Sequence, residues 1–217
     1  MQLDPKFLPE IQALRHRTRA LAMLDAILCP EWEYRYYSFN KNWSEGEELA
    51  SMRNGSGDEW FILFGTSGAV ISGLDHETKI ANDPLFLKEM QRQLPKVFNS
   101  FLKEPALSLE RVSFCYWRQA TDSAWHKVRH PERALSQSVD GSLEFLSLLI
   151  EPGSSYQQFA SEYFEVSIPL EVIENIFALV PLSTVLVSSL NPSVSMQELI
   201  EFASEIGYPI EEDKSFS

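Results

Sequence analysis

The chain is poor in the residues and patterns that announce a known chemistry. Only two of its 217 residues are cysteines, Cys29 and Cys115, and neither stands in a CxxC or a Cys/His ligand spacing. That usage rules against a disulfide scaffold or a thiolate metal site and predicts two reduced thiols in a cytoplasmic protein. No apolar run approaches the roughly 20 residues that a membrane helix needs. The N-terminal stretch MQLDPKFLPEIQALRHRTRA lacks a basic-then-apolar signal layout, which again predicts the cytoplasm. There is no GxGxxG, no phosphate loop ending in Lys-Ser or Lys-Thr, no HExxH and no GxSxG. A nucleotide cradle, a helical zinc-protease site and a serine-hydrolase elbow therefore drop out, and no cofactor is expected.

Positive charge is scarce as well. Eighteen Lys and Arg face 31 Asp and Glu, for a formal net charge of −13. The deficit is uneven. Residues 79–130 carry nine basic and five acidic side chains, residues 31–78 carry three and nine, and residues 131–217 carry two and fourteen. An acidic last third repels phosphate, so neither nucleic acid nor a membrane is an expected partner. It attracts a basic protein.

What is present is enough apolar material for a core, since 44% of the residues are hydrophobic. Asp4-Pro5 reads as a helix start, and Phe7, Ile11, Leu14, Leu21, Leu24 and Leu28 recur near helical spacing. A helix is predicted from Pro5 to Leu28, with Arg15, Arg17 and Arg19 on its polar side. Trp32 to Phe39 reads as a strand broken by Asn40-Lys41-Asn42, and Leu49 to Arg53 as a second strand. The centre of the chain is Trp60 to Glu77, WFILFGTSGAVISGLDHE, a hairpin whose first strand is apolar on both faces. Such a strand belongs in the middle of a sheet covered on both sides. Asp83-Pro84 opens another helix, interrupted by Pro95. Arg111 to Arg118 and Ala124 to Val128 read as a second hairpin. From Asp140 onward the periodicity is helical, with a capping box at Ser195-Met196-Gln197-Glu198 and a stop at Gly207. A loose acidic tail is expected from Ile210 to Ser217. The order predicts an α+β fold: a mainly antiparallel sheet of about five or six strands, helices packed against one face, and a helical C-terminal third. Residues 1–217 read as one domain, with 140–210 as a possible helical subdomain.

Three constellations could carry function. Asp75-His76-Glu77 combines carboxylates with imidazole, the groups that bind metals and move protons. On an extended strand Asp75 and Glu77 share a face and His76 points away, so all three meet one ion only if the strand ends there in a turn. Trp117, Arg118, Asp122 and Trp125 surround a predicted hairpin turn, where Arg118 could pair with Asp122 or meet a ligand carboxylate or phosphate. Glu45, Glu47, Glu48, Asp58 and Glu59 make a local acidic zone between Trp43 and Trp60. Such a zone suits paired-carboxylate chemistry, capture of a basic protein, or plain solvation.

The runs ELASMRNGSGDEWFILFGTSGAVISGLDHE and VSFCYWRQATDSAWHKV resemble an uncharacterised family of bacterial proteins. In character (acidic, aromatic-rich, free of catalytic motifs) the chain is also similar to the α+β immunity proteins that accompany bacterial toxins. That resemblance implies a binding role rather than an enzymatic one. The resulting expectation is an immunity-type module that covers a basic partner with an acidic face. That face is either the Glu45–Glu59 zone or the acidic helices after Asp140. The rival expectation is a metal-dependent hydrolase using Asp75, His76 and Glu77.

Overall fold

The computed structural model describes residues 1–81, 83–107, 109–132 and 137–211. Six strands form one antiparallel sheet in the order of the sequence: β1 Tyr37–Ser44, β2 Glu47–Arg53, β3 Glu59–Gly65, β4 Gly68–Leu74, β5 Phe114–Gln119 and β6 His126–Lys127. The fold is therefore α+β with a six-stranded meander, as the sequence patterning predicts.

The two-sided strand sits where its composition requires. In β3, Trp60, Ile62 and Phe64 belong to one apolar cluster and Phe61 and Leu63 to another. Helix α1 (Ile11–Leu28) lies on the first side. So do the C-terminal helices α4 (Ser142–Phe145), α5 (Ser147–Ile150), α6 (Ser154–Tyr163), α7 (Leu170–Phe177), α8 (Thr184–Leu190) and α9 (Met196–Ile206). Helices α2 (Pro84–Gln93) and α3 (Asn99–Lys103) cover the second side. The sequence predicts helices against one face and a central strand covered on both sides. Both faces are covered, because Phe61, Leu63, Val70 and Cys115 point away from α1 and need cover of their own.

Several boundaries differ from the sequence reading for local reasons. Asp4 does cap a helical turn, accepting from the Lys6 amide at 3.1 Å, but Pro5–Phe7 is only a single 3-10 turn. Pro9 pushes Leu8 into an extended conformation (φ −67°, ψ 134°), and α1 starts afresh at Ile11. Trp32–Tyr34 is a 3-10 turn rather than strand. The Asn40–Asn42 break is a register shift inside β1, where Asn40 Oδ1 accepts from the Asn42 amide. Pro95 ends α2, and the chain resumes through a 3-10 turn at Lys96–Phe98 into α3. The stretch around Val185 to Leu190 is helical. The capping box forms as predicted, and Gly207 closes α9 in the left-handed region at φ 74°. After it, Leu182 and Ile210 form a parallel bridge. The expected tail beyond Glu211 lies outside the described residues.

Two close approaches shape the sheet end near the hairpin. The Phe114 ring lies across the backbone of its partner Gly73, where any side chain would collide with it. Gly141, at φ 80°, brings α4 against Asp75.

Candidate functional site

The three residues Asp75, His76 and Glu77 leave β4 and turn apart. Asp75 Oδ1 accepts from the Glu77 amide at 3.1 Å, and the Asp75 amide donates to Ser113 Oγ. The Glu77 side chain is exposed. His76 reaches back to the neighbouring turn, with Nδ1 2.6 Å from Asp58 Oδ1, which also accepts from the His76 amide. Asn54 donates to the other Asp58 oxygen at 2.6 Å. The bond to Asp58 raises the His76 pKa. Burial works to raise the Asp58 carboxyl, but the bonds from His76 and Asn54 outweigh it and hold it below the usual range. Burial raises Asp75. Among the described residues, no three His, Cys, Asp or Glu side chains converge to hold a metal ion. The geometry is that of a strand end tied by a His–Asp pair to the Asn54–Asp58 turn.

The acidic zone is split by the sheet. Strand pairing sets Glu48 opposite Phe64 at one end of β2 and Arg53 opposite Glu59 at the other, ~17 Å away along the strand. Most of its members are also engaged. Glu48 meets Arg15 at 2.8 Å and Arg19 at 2.5 Å, all three side chains about one-fifth exposed. The Arg15 approach is a charge contact whose N–H is not aimed at the oxygen. Glu47 accepts from Ser44 and Ser100 hydroxyls. Asp58 holds His76. Glu59 lies 3.5 Å from Arg53, its carboxyl raised by burial. Of the five, only Glu45, at the β1–β2 turn, is exposed. Glu45, Glu47, Glu48, Asp58 and Glu59 therefore do not form one face.

Trp117, Arg118, Asp122 and Trp125 are also separated. Successive residues of β5 point to opposite sides. Trp117 stacks on His126 with ring centroids 4.1 Å apart. Arg118 is buried, donates from Nε to the Asp122 carbonyl at 3.1 Å, and pairs with Glu10 at 2.8 Å rather than with the Asp122 carboxylate. That carboxylate instead accepts from the Gln119 amide. Trp125 Nε1 donates to the Pro9 carbonyl. Trp117 and Trp125 line a cavity of about 680 Å3 at the β6 edge, whereas Arg118 lines a different one of about 700 Å3 beside Arg15 and Glu48. In the first cavity Lys127 is committed to buried Asp140 at 2.6 Å.

The helical third is different. Between Arg133 and Lys214 the sequence has no Lys, Arg or His. Glu144, Glu151, Glu162, Glu165, Glu171, Glu174, Glu198, Glu201, Glu205 and Glu211 are all exposed. None of them forms an ion pair among the described residues. Glu171 and Glu174 lie one turn apart on α7, and Glu198, Glu201 and Glu205 line one side of α9. Arginines of α1 serve the fold instead of these glutamates: Arg17 donates to the Leu149 and Ile150 carbonyls at the end of α5.

Two features escape sequence reading. Trp32 and Tyr34 are 60% and 63% exposed, because a 3-10 turn turns Glu31-Trp32-Glu33-Tyr34 outward where a strand would have packed one side. Asp25 is fully buried and accepts from the Tyr36 and Tyr37 amides at 2.8 Å and the Tyr156 hydroxyl at 3.0 Å. Its position inside the apolar run LAMLDAIL was the available signal. Comparison of the chain with protein-family models, curated proteins and solved structures gives no match.

Proposed function

We propose that the protein is a binding module that covers a basic protein through the acidic surface of its C-terminal helices. The observation that carries this reading is the absence of any Lys, Arg or His between Arg133 and Lys214, on helices whose exposed glutamates form no ion pair among the described residues. Like charges spaced three or four residues apart on one helix face cost a few tenths of a kcal/mol per pair. Solubility alone is served by mixed charge. A one-sign surface whose glutamates form no ion pair among the described residues is suited to steering an oppositely charged partner and pairing with it. The Glu45–Glu59 zone takes no part in this proposal, since Glu47, Glu48, Asp58 and Glu59 are engaged with internal partners and the zone is divided between two ends of the sheet. The likeness of character to toxin immunity proteins supports a specific form of the reading, in which the basic partner is a toxin domain whose working surface is masked.

Affinity purification of the full chain from its native host tests it. At about 50 mM salt a stoichiometric partner of basic isoelectric point is expected, released as salt approaches 0.5 M. A Glu171→Lys/Glu174→Lys variant is expected to lose it. Repeated purification at low salt with no basic partner overturns the reading.

A further inference from the structure

We infer that the Glu31–Tyr34 turn together with Tyr163 is the anchoring patch for the arginine side chains of a basic partner, an inference that rests on the acidic-surface reading above. The turn presents Trp32 and Tyr34, 60% and 63% exposed, alternating in sequence with two exposed carboxylates, Glu31 and Glu33. Tyr163, 45% exposed, adjoins them and donates its hydroxyl to the Tyr34 carbonyl at 3.3 Å. Single exposed apolar residues are ordinary on a protein surface. Three large exposed aromatic side chains gathered on one short turn and the helix end tied to it, with Glu31 and Glu33 among them, are not, and aromatic anchors rimmed by charge are where binding energy concentrates.

The patch is built rigid. Arg35 fastens the turn from beneath: its Nε donates to the Cys29 carbonyl at 2.8 Å and its Nη2 to the Pro30 carbonyl at 2.7 Å. Its guanidinium lies over the Phe202 ring of α9 at 3.9 Å. Tyr163 stands on Tyr36 and Phe159, with ring centroids at 5.0 and 5.4 Å. Little conformational freedom remains to be lost on binding, which favours affinity. Because Arg35 is committed to this support, the charges the turn offers to solvent are Glu31 and Glu33, and Glu205 lies beside Trp32 and Phe202 in the adjoining groove.

The chemistry selects the occupant. A planar guanidinium stacks on an indole or phenol face while its N–H fork pairs with a neighbouring carboxylate. An ammonium does this less well. A second copy of the chain is the wrong charge, since each copy carries −13 and would bring Glu31 and Glu33 against their own kind.

The test titrates the intact protein with fluorescent nona-arginine and nona-lysine peptides at low salt, reading anisotropy and Trp emission. The wild type is expected to bind nona-arginine more tightly than nona-lysine. Trp32→Ala/Tyr34→Ala, which removes exposed rings and no charge, is expected to weaken nona-arginine binding about tenfold and erase the preference. Glu171→Gln/Glu174→Gln is expected to weaken both peptides alike. If the aromatic variant binds nona-arginine as the wild type does while the glutamate variant is weakened, the patch is refuted and the acidic-surface reading stands. If neither peptide binds at low salt, the acidic-surface reading fails and the patch with it. A wild-type dimer in light scattering that Trp32→Ala/Tyr34→Ala dissociates makes the patch a self-interface and overturns the inference.

Discussion

Asp25 is the residue on which three separate parts of the chain converge. It belongs to the last turn of α1, and it holds the entry to β1 through the Tyr36 and Tyr37 amides and α6 through Tyr156. Burial pushes its carboxyl from the ordinary 3.8 to about 7, against the three hydrogen bonds that favour the anion. Between those pH values the folded chain keeps a proton that the unfolded chain has released. Stability is therefore highest below about pH 4 for this group and falls as pH rises to 7, by an amount on the order of 4 kcal/mol. Asp25→Asn keeps an oxygen for the two amides and an NH2 for the Tyr156 oxygen. Urea denaturation across pH 4–7 is expected to show a flatter profile for this variant than for the wild type. His76 has a linkage of the same sign, set at higher pH. Its bond to Asp58 raises its pKa, so the stabilisation is complete below the unfolded value of 6.5 and is lost as pH rises through the higher folded value. In an NMR titration, Asp58→Asn is expected to bring the His76 ring back toward its ordinary value. Glu48 is a structural counter-ion, since it alone separates the positive charges of Arg15 and Arg19 on one side of α1. Glu48→Gln is expected to cost about 2 kcal/mol in denaturant titration.

At the scale of the element, caps and proline positions decide where helices begin. Ser195 Oγ accepts from the Glu198 amide while the Glu198 carboxylate returns to the Ser195 amide, so both ends of the box are closed. Ser195→Ala is expected to lower stability by about 1 kcal/mol without affecting partner binding beyond that loss. This box, the Gly207 stop and the two-faced β3 were legible because each depends on residues within a few positions of one another. Pro9 was equally local, and its effect on Leu8 explains why the helix read from Pro5 splits. Trp32–Tyr34 was not legible: an aromatic run fits a pleated surface, and the Arg35 side-chain bonds to Cys29 and Pro30, with the backbone bonds of Tyr34 to Glu31 and Arg35 to Trp32, fold it into a turn. The grouping of the candidate clusters depends on geometry that spans whole strands. Adjacency in sequence grouped Glu48 with Asp58 and Trp117 with Arg118, whereas strand length sends the first pair to opposite ends of the sheet and pleat alternation sends the second to opposite faces. Charge segregation survived, because a stretch without cations stays cation-free wherever its helices pack.

For the whole molecule, the unpaired acids are a standing load. Glu171→Gln/Glu174→Gln is expected to raise stability by a few tenths of a kcal/mol at low salt while weakening any basic partner. Moderate salt is expected to raise the melting temperature of the isolated protein by screening the same repulsion. A surface tuned only for stability would not show both effects. The cost and the proposed use reside in the same side chains, so the two readouts should change together across a charge-neutralisation series.

The sheet ends in two unequal borders: β1, interrupted by its shift between Asn40 and Ser44, and β6, only His126–Lys127 long. A bent border and a stub offer few amides in line for another chain to copy. The protein is thereby a poor template for fibrils or for strand addition, and a partner is left to recognise it by side chains rather than by extending its hydrogen-bond ladder.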